Sequence, residues 1–132
     1  MSAAVERSLK ILELLAQHPE GCQLSFVSNA LGLPLSATHR LLTTLAGAGY
    51  LKQSREQGDY VLTMKLVSLS LGFLSNAGVI DIAQPMLDRL AEESGELVRL
   101  GVLEGEELIF VAKAQGATRG LKYDPDMVVW CR

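Results

Sequence analysis

The sequence has few cysteines, no long apolar run and no excess of basic residues. Its two cysteines, Cys22 and Cys131, are too few and too far apart for a disulfide scaffold or a four-ligand zinc site. No apolar segment approaches the roughly 18 residues of a membrane span or the shorter core of a signal peptide. We therefore expect a cytoplasmic protein that does not enter a membrane.

The chain also lacks a strong net charge. Residues 1–65 contain six bases and five acids, whereas residues 66–132 contain six bases and ten acids. The two halves therefore carry +1 and −4, which together give the net charge of −3. Because domains that bind nucleic acid usually present a basic face, composition alone does not identify a DNA-binding protein.

A catalytic set is missing as well. His39 could serve as a general base, but no second histidine, cysteine, serine or carboxylate stands at a spacing that would complete a catalytic site. Glutamates are frequent between Glu92 and Glu107, and such a density is typical of a solvated surface, not of a metal site. We therefore expect no enzyme, no metal and no cofactor.

The chain does have enough apolar residues to fold. Its 132 residues are 48% hydrophobic and 20% charged, which excludes an intrinsically disordered chain. This length fits one ordinary domain, or one small domain and part of another.

Two helices are predicted at the start of the chain. Apolar residues at helical spacing from Val5 to Leu15 predict a helix over about residues 4–17. A second, shorter helix is predicted to begin with Ser25 as its cap, because a serine oxygen can accept a hydrogen bond from a free amide there. Gly32 is predicted to end it.

A third helix with two different faces is predicted in the segment SATHRLLTTLAG, residues 36–47. One stripe is mostly apolar and comprises Thr38, Leu41, Leu42 and Leu45. The opposite stripe is polar and comprises Ser36, His39, Arg40 and Thr43. The pattern therefore predicts one buried face and one exposed face.

A strand–turn–strand pattern follows, with Gly58 supplying the positive φ of a tight hairpin that carries Lys52 and Arg55. Thr63 is predicted to cap a helix over about residues 64–74 that is apolar on more than one side.

A second domain is predicted to start near residue 79. Residues 75–78 read as a break, after which Asp81 is predicted to cap a helix that tolerates Pro85 in or just after its first turn. LVRLGVL and LIFVAKA then predict a β-hairpin over residues 97–114, and LKY at residues 121–123 predicts the start of a third strand. One helix and two or three strands leave a hairpin with little cover, which is only marginally stable in water, so we expect this domain to be incomplete.

The order helix, helix, turn, helix, hairpin within the first 65 residues predicts a winged helix-turn-helix. In that fold the third helix enters the major groove of DNA and the hairpin reaches the backbone. Arg40 is expected to contact guanine or a phosphate. The candidate DNA-binding residues are Ser25, Ser36, His39, Arg40, Thr43, Lys52 and Arg55.

Several motifs in order resemble the isocitrate-lyase-regulator-type (IclR) family of bacterial transcription factors. They are VERSLKILELLAQHPEG, LSFVSNALGLPLSATHRLLTTLAGAGYL, the hairpin ending GDYVLT, and DIAQPMLDRLAEESGE with the hairpin that follows it. The resemblance implies a GAF-like α/β second domain that binds a small effector. By the same resemblance, the helix at about residues 64–74 joins it to the DNA-binding domain.

Three residues and the end of the chain depart from the family pattern. Leu35 stands where a basic residue is often found, Ala37 where threonine is frequent and Phe26 where an acid is frequent, so we expect lowered affinity for DNA. After GLKYDPDM the chain runs only to VVWCR, before the segments that complete the effector pocket in the family. No effector-binding residue is therefore predicted.

The sequence predicts an α+β chain with three parts. They are a winged helix-turn-helix domain at 1–63, a linker helix at 64–78 and the opening part of a GAF-like α/β effector domain at 79–132. The expected function is sequence-specific binding of double-stranded DNA as a homodimer or higher oligomer on a palindromic operator, with control by a small-molecule effector. The alternative is a winged protein-interaction module with little DNA binding, which associates through an open sheet edge.

Overall fold

The computed structural model describes residues 2–54 and 58–118, and the backbone of residues 128–129. The chain divides into two compact units between Ser70 and Leu71. Within the described residues, no single helix is long and apolar enough to cross a membrane; α4 and α5, defined below, reach that length only when counted together across a sharp bend.

The first unit contains three helices and a two-stranded hairpin. The elements are α1 (Ala3–Ala16), α2 (Leu24–Leu31), α3 (Leu35–Gly47), β1 (Leu51–Gln53) and β2 (Tyr60–Leu62). The strands β1 and β2 are antiparallel, and Cys22 extends the sheet because its backbone exchanges two hydrogen bonds with Tyr60 (3.0 and 2.8 Å). The predicted order of three helices and a hairpin is confirmed.

Side chains from every one of these elements meet in one apolar core. Its buried members are Ile11, Leu15, Cys22, Val27, Leu42, Leu51 and Tyr60. The amphipathic spacing of α1 and α3 explains this arrangement, because residues three and four apart lie on the same side of a helix. This core holds α3 in place against α1 and α2.

The helix α4 (Lys65–Ala77) follows the hairpin and crosses the division between the two units. Thr63 Oγ1 accepts a hydrogen bond from the Lys65 amide (3.3 Å), as predicted for a cap. Within the described chain, none of the side chains of α4 is buried.

The second unit packs one helix on a small antiparallel sheet. The helix α5 (Val79–Ser94) precedes β3 (Leu97–Glu104), β4 (Glu107–Gln115) and β5 (Val128–Val129), and the strand order is β3-β4-β5. Leu87 and Ala91 on α5 and Ala112 on β4 are buried, and Gln84 Nε2 donates a hydrogen bond to the Lys113 carbonyl (3.1 Å). The predicted hairpin at 97–114 is confirmed.

Three predicted helix limits are wrong. The helix α2 begins before Ser25, because Gln23 already has the extended backbone of a cap residue, and Ser25 lies in the first turn. Residues 75–77 continue α4, and the chain breaks only at Gly78, whose φ is +72°. The helix α5 therefore starts at Val79, which places Asp81 in its first turn and Pro85 in its second. The predicted strand at 121–123 lies outside the described residues.

Candidate nucleic-acid interface

A short turn fixes α2 against α3. Gly32, in the left-handed conformation with φ +64°, ends α2, and the Leu33 amide donates a hydrogen bond to the Ser28 carbonyl (3.1 Å). The Ser28 hydroxyl donates to the Leu33 carbonyl, and the Thr38 hydroxyl donates to the Pro34 carbonyl (3.0 Å). Because Ser28 and Thr38 are both buried, these bonds satisfy polar groups that would otherwise destabilise the turn.

The two faces of α3 are as the sequence predicts. Thr38 and Leu42 are fully buried, and Leu41 and Leu45 are half-buried beside them. The polar residues Ser36, His39, Arg40 and Thr43 are all exposed. Since they project from one helix, the structure brings these four side chains to one exposed face, which we call the reading face.

Hydrogen-bond donors and acceptors are available on the reading face. No carboxylate among the described residues forms an ion pair with Arg40, so a fixed partner does not occupy its guanidinium there. An arginine in this position can form two parallel hydrogen bonds to guanine or to a phosphate. Serine, threonine and histidine side chains add shorter contacts to base edges or to the sugar–phosphate backbone.

The remaining candidate residues lie outside α3. Ser25 is exposed in the first turn of α2, and Lys52 is exposed on β1, where it stands opposite Val61. Arg55 lies outside the described residues. The hairpin that carries Lys52 is closed by the Gln53 side-chain amide, which donates to the Gly58 carbonyl (2.9 Å).

The three departures from the family pattern occupy different environments. Leu35 is an exposed residue in the first turn of α3, and Ala37 is half-buried. Phe26 is exposed on α2, where its ring packs edge-on against His18 with 5.1 Å between ring centroids. Leu35 therefore adds apolar surface next to the reading face where a basic residue would add charge.

Among the described residues, the buried Cys22 thiol is not set up as a nucleophile. Burial raises the pKa of the Cys22 thiol, and the carboxylates of Glu20 and Asp59 raise it further. A thiol with a raised pKa carries less thiolate at neutral pH and is a weak nucleophile. Among the described residues, no group of three or more histidine, cysteine or acidic side chains is placed to hold a metal ion.

Two family models match the chain. The model of the IclR helix-turn-helix domain matches residues 4–55, and the model of the bacterial transcriptional regulator IclR C-terminal domain matches residues 71–123. The first match contains α2, α3, β1 and all but the first residue of α1, and the second contains residues 71–77 of α4, α5 and the strands β3 and β4.

Two transcriptional repressors of Escherichia coli are similar to this chain. It is 34% identical over 114 residues to the transcriptional repressor IclR of Escherichia coli, covering 85% of this chain and 42% of that protein. It is 33% identical over 121 residues to the DNA-binding transcriptional repressor YiaJ of Escherichia coli, covering 92% of this chain and 43% of that protein. The chain thus spans less than half the length of these relatives.

The fold is also that of a solved structure. An IclR family transcriptional regulator from Brucella abortus superimposes with a TM-score of 0.77 at 24% identity, covering 93% of this chain and 47% of that one.

Proposed function

Because the chain belongs to the IclR family of bacterial transcriptional regulators, we propose that it binds double-stranded DNA in a sequence-specific manner and thereby controls transcription. The reading face of α3 is the observation that carries this proposal. Its four polar side chains are exposed while the opposite stripe of the same helix is buried, so they are available to contact DNA when α3 enters the major groove as the third helix of a winged fold does. Such a regulator acts in the cytoplasm, where bacterial DNA lies.

A homodimer is the proposed binding form. One recognition helix reads only a few base pairs, whereas two related by a two-fold axis read a palindromic operator with half-sites about 34 to 36 Å, or a multiple of that distance, apart. The second unit, in this proposal, is the opening part of a GAF-like effector-binding domain, and residues 64–78 link it to the DNA reader. Selection of bound sequences from random duplexes at low salt tests the proposal, and we expect paired, inverted half-sites.

Arg40→Ala is expected to weaken binding to the selected operator by about 1 to 3 kcal/mol and to relax base preference at one position in each half-site. The reason is the loss of a bidentate contact from the centre of the reading face. Competition assays with operator variants substituted at single positions measure both effects. Arg89→Ala, which removes an exposed arginine from α5, is the charge-matched control. An equal loss on operator and random DNA would reassign Arg40 to a phosphate contact.

Lys52→Ala is expected to lower affinity for all DNA sequences alike and to reduce the salt dependence of binding by about one unit of slope for each phosphate that the lysine neutralises. Lys52 is exposed on the hairpin, which reaches the DNA backbone in winged folds. Titrations at several salt concentrations measure the slope. If the slope of the variant equals that of the wild type, the hairpin lies away from the phosphates.

The salt titration of the wild-type protein also separates the two candidate functions. Binding through phosphates weakens steeply as salt rises, because condensed counterions are released. Association with a protein through an open sheet edge depends on backbone hydrogen bonds and apolar contact, so it should change little with salt. A partner interaction that is insensitive to salt, with no DNA binding, would favour the interaction module.

A further inference from the structure

The carboxyl end of α3 is closed by a turn in which two carbonyl groups need hydrogen-bond donors from elsewhere in the chain. The Gly49 amide donates to the Ala46 carbonyl and the Tyr50 amide to the Leu45 carbonyl (both 3.0 Å), with Gly49 at φ +89°. This is the Schellman arrangement, which requires a left-handed residue after the helix and suits glycine. The carbonyls of Ala48 and Gly49 are not used by this turn.

Residues just before and at the start of α4 supply the missing donors. Lys65 Nζ donates to the Ala48 carbonyl and Thr63 Oγ1 donates to the Gly49 carbonyl (both 2.6 Å). The Thr63 amide also donates to the Tyr50 carbonyl (3.0 Å). Because the Thr63 hydroxyl accepts a bond from the Lys65 amide, one side chain caps α4 and holds the end of α3 at the same time.

The Lys65 ammonium is also in a favourable electrostatic position. The last turn of α3 contains no basic residue of its own, and a cation near the carboxyl end of a helix is stabilised by the helix dipole. Lys65 Nζ lies 4.7 Å from the centre of the Tyr50 ring, within the range of a cation–π contact. A Cβ atom at Gly49 would lie 3.5 Å from Lys65 Cδ, so the lysine stem passes directly over this turn.

We propose that Lys65, together with Thr63, is a positioning residue that sets the direction of α4 relative to α3. The proposal rests on the proposed homodimer, and it takes the exposed apolar residues of α4, such as Leu69 and Phe73, as part of the contact between the two protomers. The direction of α4 then determines how far apart the two reading faces lie and at what angle. The contacts of Lys65 and Thr63 would therefore select the spacing of the half-sites, whereas the reading face selects their bases.

Lys65→Met tests this in the complete chain, because methionine keeps an apolar stem and removes the ammonium. Affinity is measured for duplexes that carry two copies of the selected half-site, with the separation varied one base pair at a time. The wild type is expected to prefer one separation. We expect Lys65→Met to lower the ratio of affinities between the preferred separation and the others about two- to five-fold for each substituted protomer. Base preference within a half-site should not change. Thr63→Val is expected to act in the same direction.

Two further variants separate positioning from general loss of stability or charge. Lys65→Arg keeps a cation over Tyr50 and should show the wild-type preference for one separation. Lys113→Met removes one exposed lysine from β4 and should leave that preference unchanged. Circular dichroism verifies that each variant keeps its helices.

The outcomes are distinct. A wild-type spacing profile in Lys65→Met and Thr63→Val overturns the inference and leaves the proposed function intact. A uniform loss of affinity at all separations also overturns it, because it indicates a structural role alone. Selection of no paired half-sites by the wild type would overturn the proposed function, and the inference with it.

Discussion

Leu42→Ala is expected to lower the free energy of unfolding of the first unit by about 2 to 5 kcal/mol. Leu42 is 0% exposed and lies on the buried side of α3, in a core that also contains residues of α1, α2, β1 and β2. The substitution removes apolar contact and leaves a cavity that rigid neighbours fill only in part. Since small domains are stable by about 5 to 15 kcal/mol, a loss of this size removes a large share of the total. Urea unfolding followed by helical circular dichroism measures it.

The matched control is Leu35→Ala, the same chemical change on the same helix. Leu35 is 55% exposed, so its truncation removes little buried surface and forms no cavity. We expect its free energy of unfolding to stay within about 0.5 kcal/mol of the wild type. Equal effects of the two substitutions would mean that α3 is not anchored through Leu42, and the buried stripe would then not explain how the reading face is held.

Periodicity predicted the reading face because it is a local property of the chain. Thr38 and Leu42 are four residues apart, as are His39 and Thr43, so each pair must share a side of any α-helix formed here. Which side is buried follows from polarity, since the apolar stripe is the one that a core accepts. Nothing beyond the sequence of α3 was needed for this prediction, and the exposure of its residues agrees with it.

The helix limits were harder to predict, because several residues near an end have the composition of a cap. Ser25 and Asp81 are residue types found both at caps and in first turns, and composition does not distinguish the two positions. The backbone does, through the extended conformation of Gln23 and the left-handed conformation of Gly78. Ser75 belongs to a segment with turn-like composition that still continues α4, since only Gly78 adopts a conformation outside the helix.

The contacts of Lys65 are outside the reach of sequence patterns. Lys65 and Ala48 are separated by 17 residues, and the hairpin that lies between them brings them together. Helical or strand periodicity relates residues a few positions apart and contains no information on such a contact. In the sequence, Lys65 is only one of the six basic residues in the first half.

Leu69→Asp and Phe73→Asp are each expected to convert a dimeric protein into a monomer and to abolish tight operator binding. Leu69 is 52% exposed and Phe73 is 73% exposed, on a helix with no buried side chain in the described chain. Burial of an unpaired carboxylate in an apolar interface costs about 2 kcal/mol or more. Because a symmetric dimer contains the substitution twice, the dissociation constant should rise about a thousandfold.

Exposed apolar residues on α1 add surface that a dimer would remove from water. Val5 and Leu9 are exposed and stand four residues apart, on one side of that helix. Apolar area removed from water contributes about 25 cal/mol per Å², which favours a dimer with an interface of standard size, and ordering costs offset much of that gain. We expect sedimentation at micromolar concentration to give twice the chain mass of 14.3 kDa for the wild type.

Ser68→Asp is the control for these two substitutions, because it introduces the same charge at the position directly before Leu69. Ser68 is exposed and lies about 100° around α4 from Leu69. The new carboxylate can remain in water there, so we expect this variant to stay dimeric and to bind the operator. A wild-type monomer that binds the operator tightly would contradict the dimer, since one reading face contacts a single half-site and cannot gain affinity from the second.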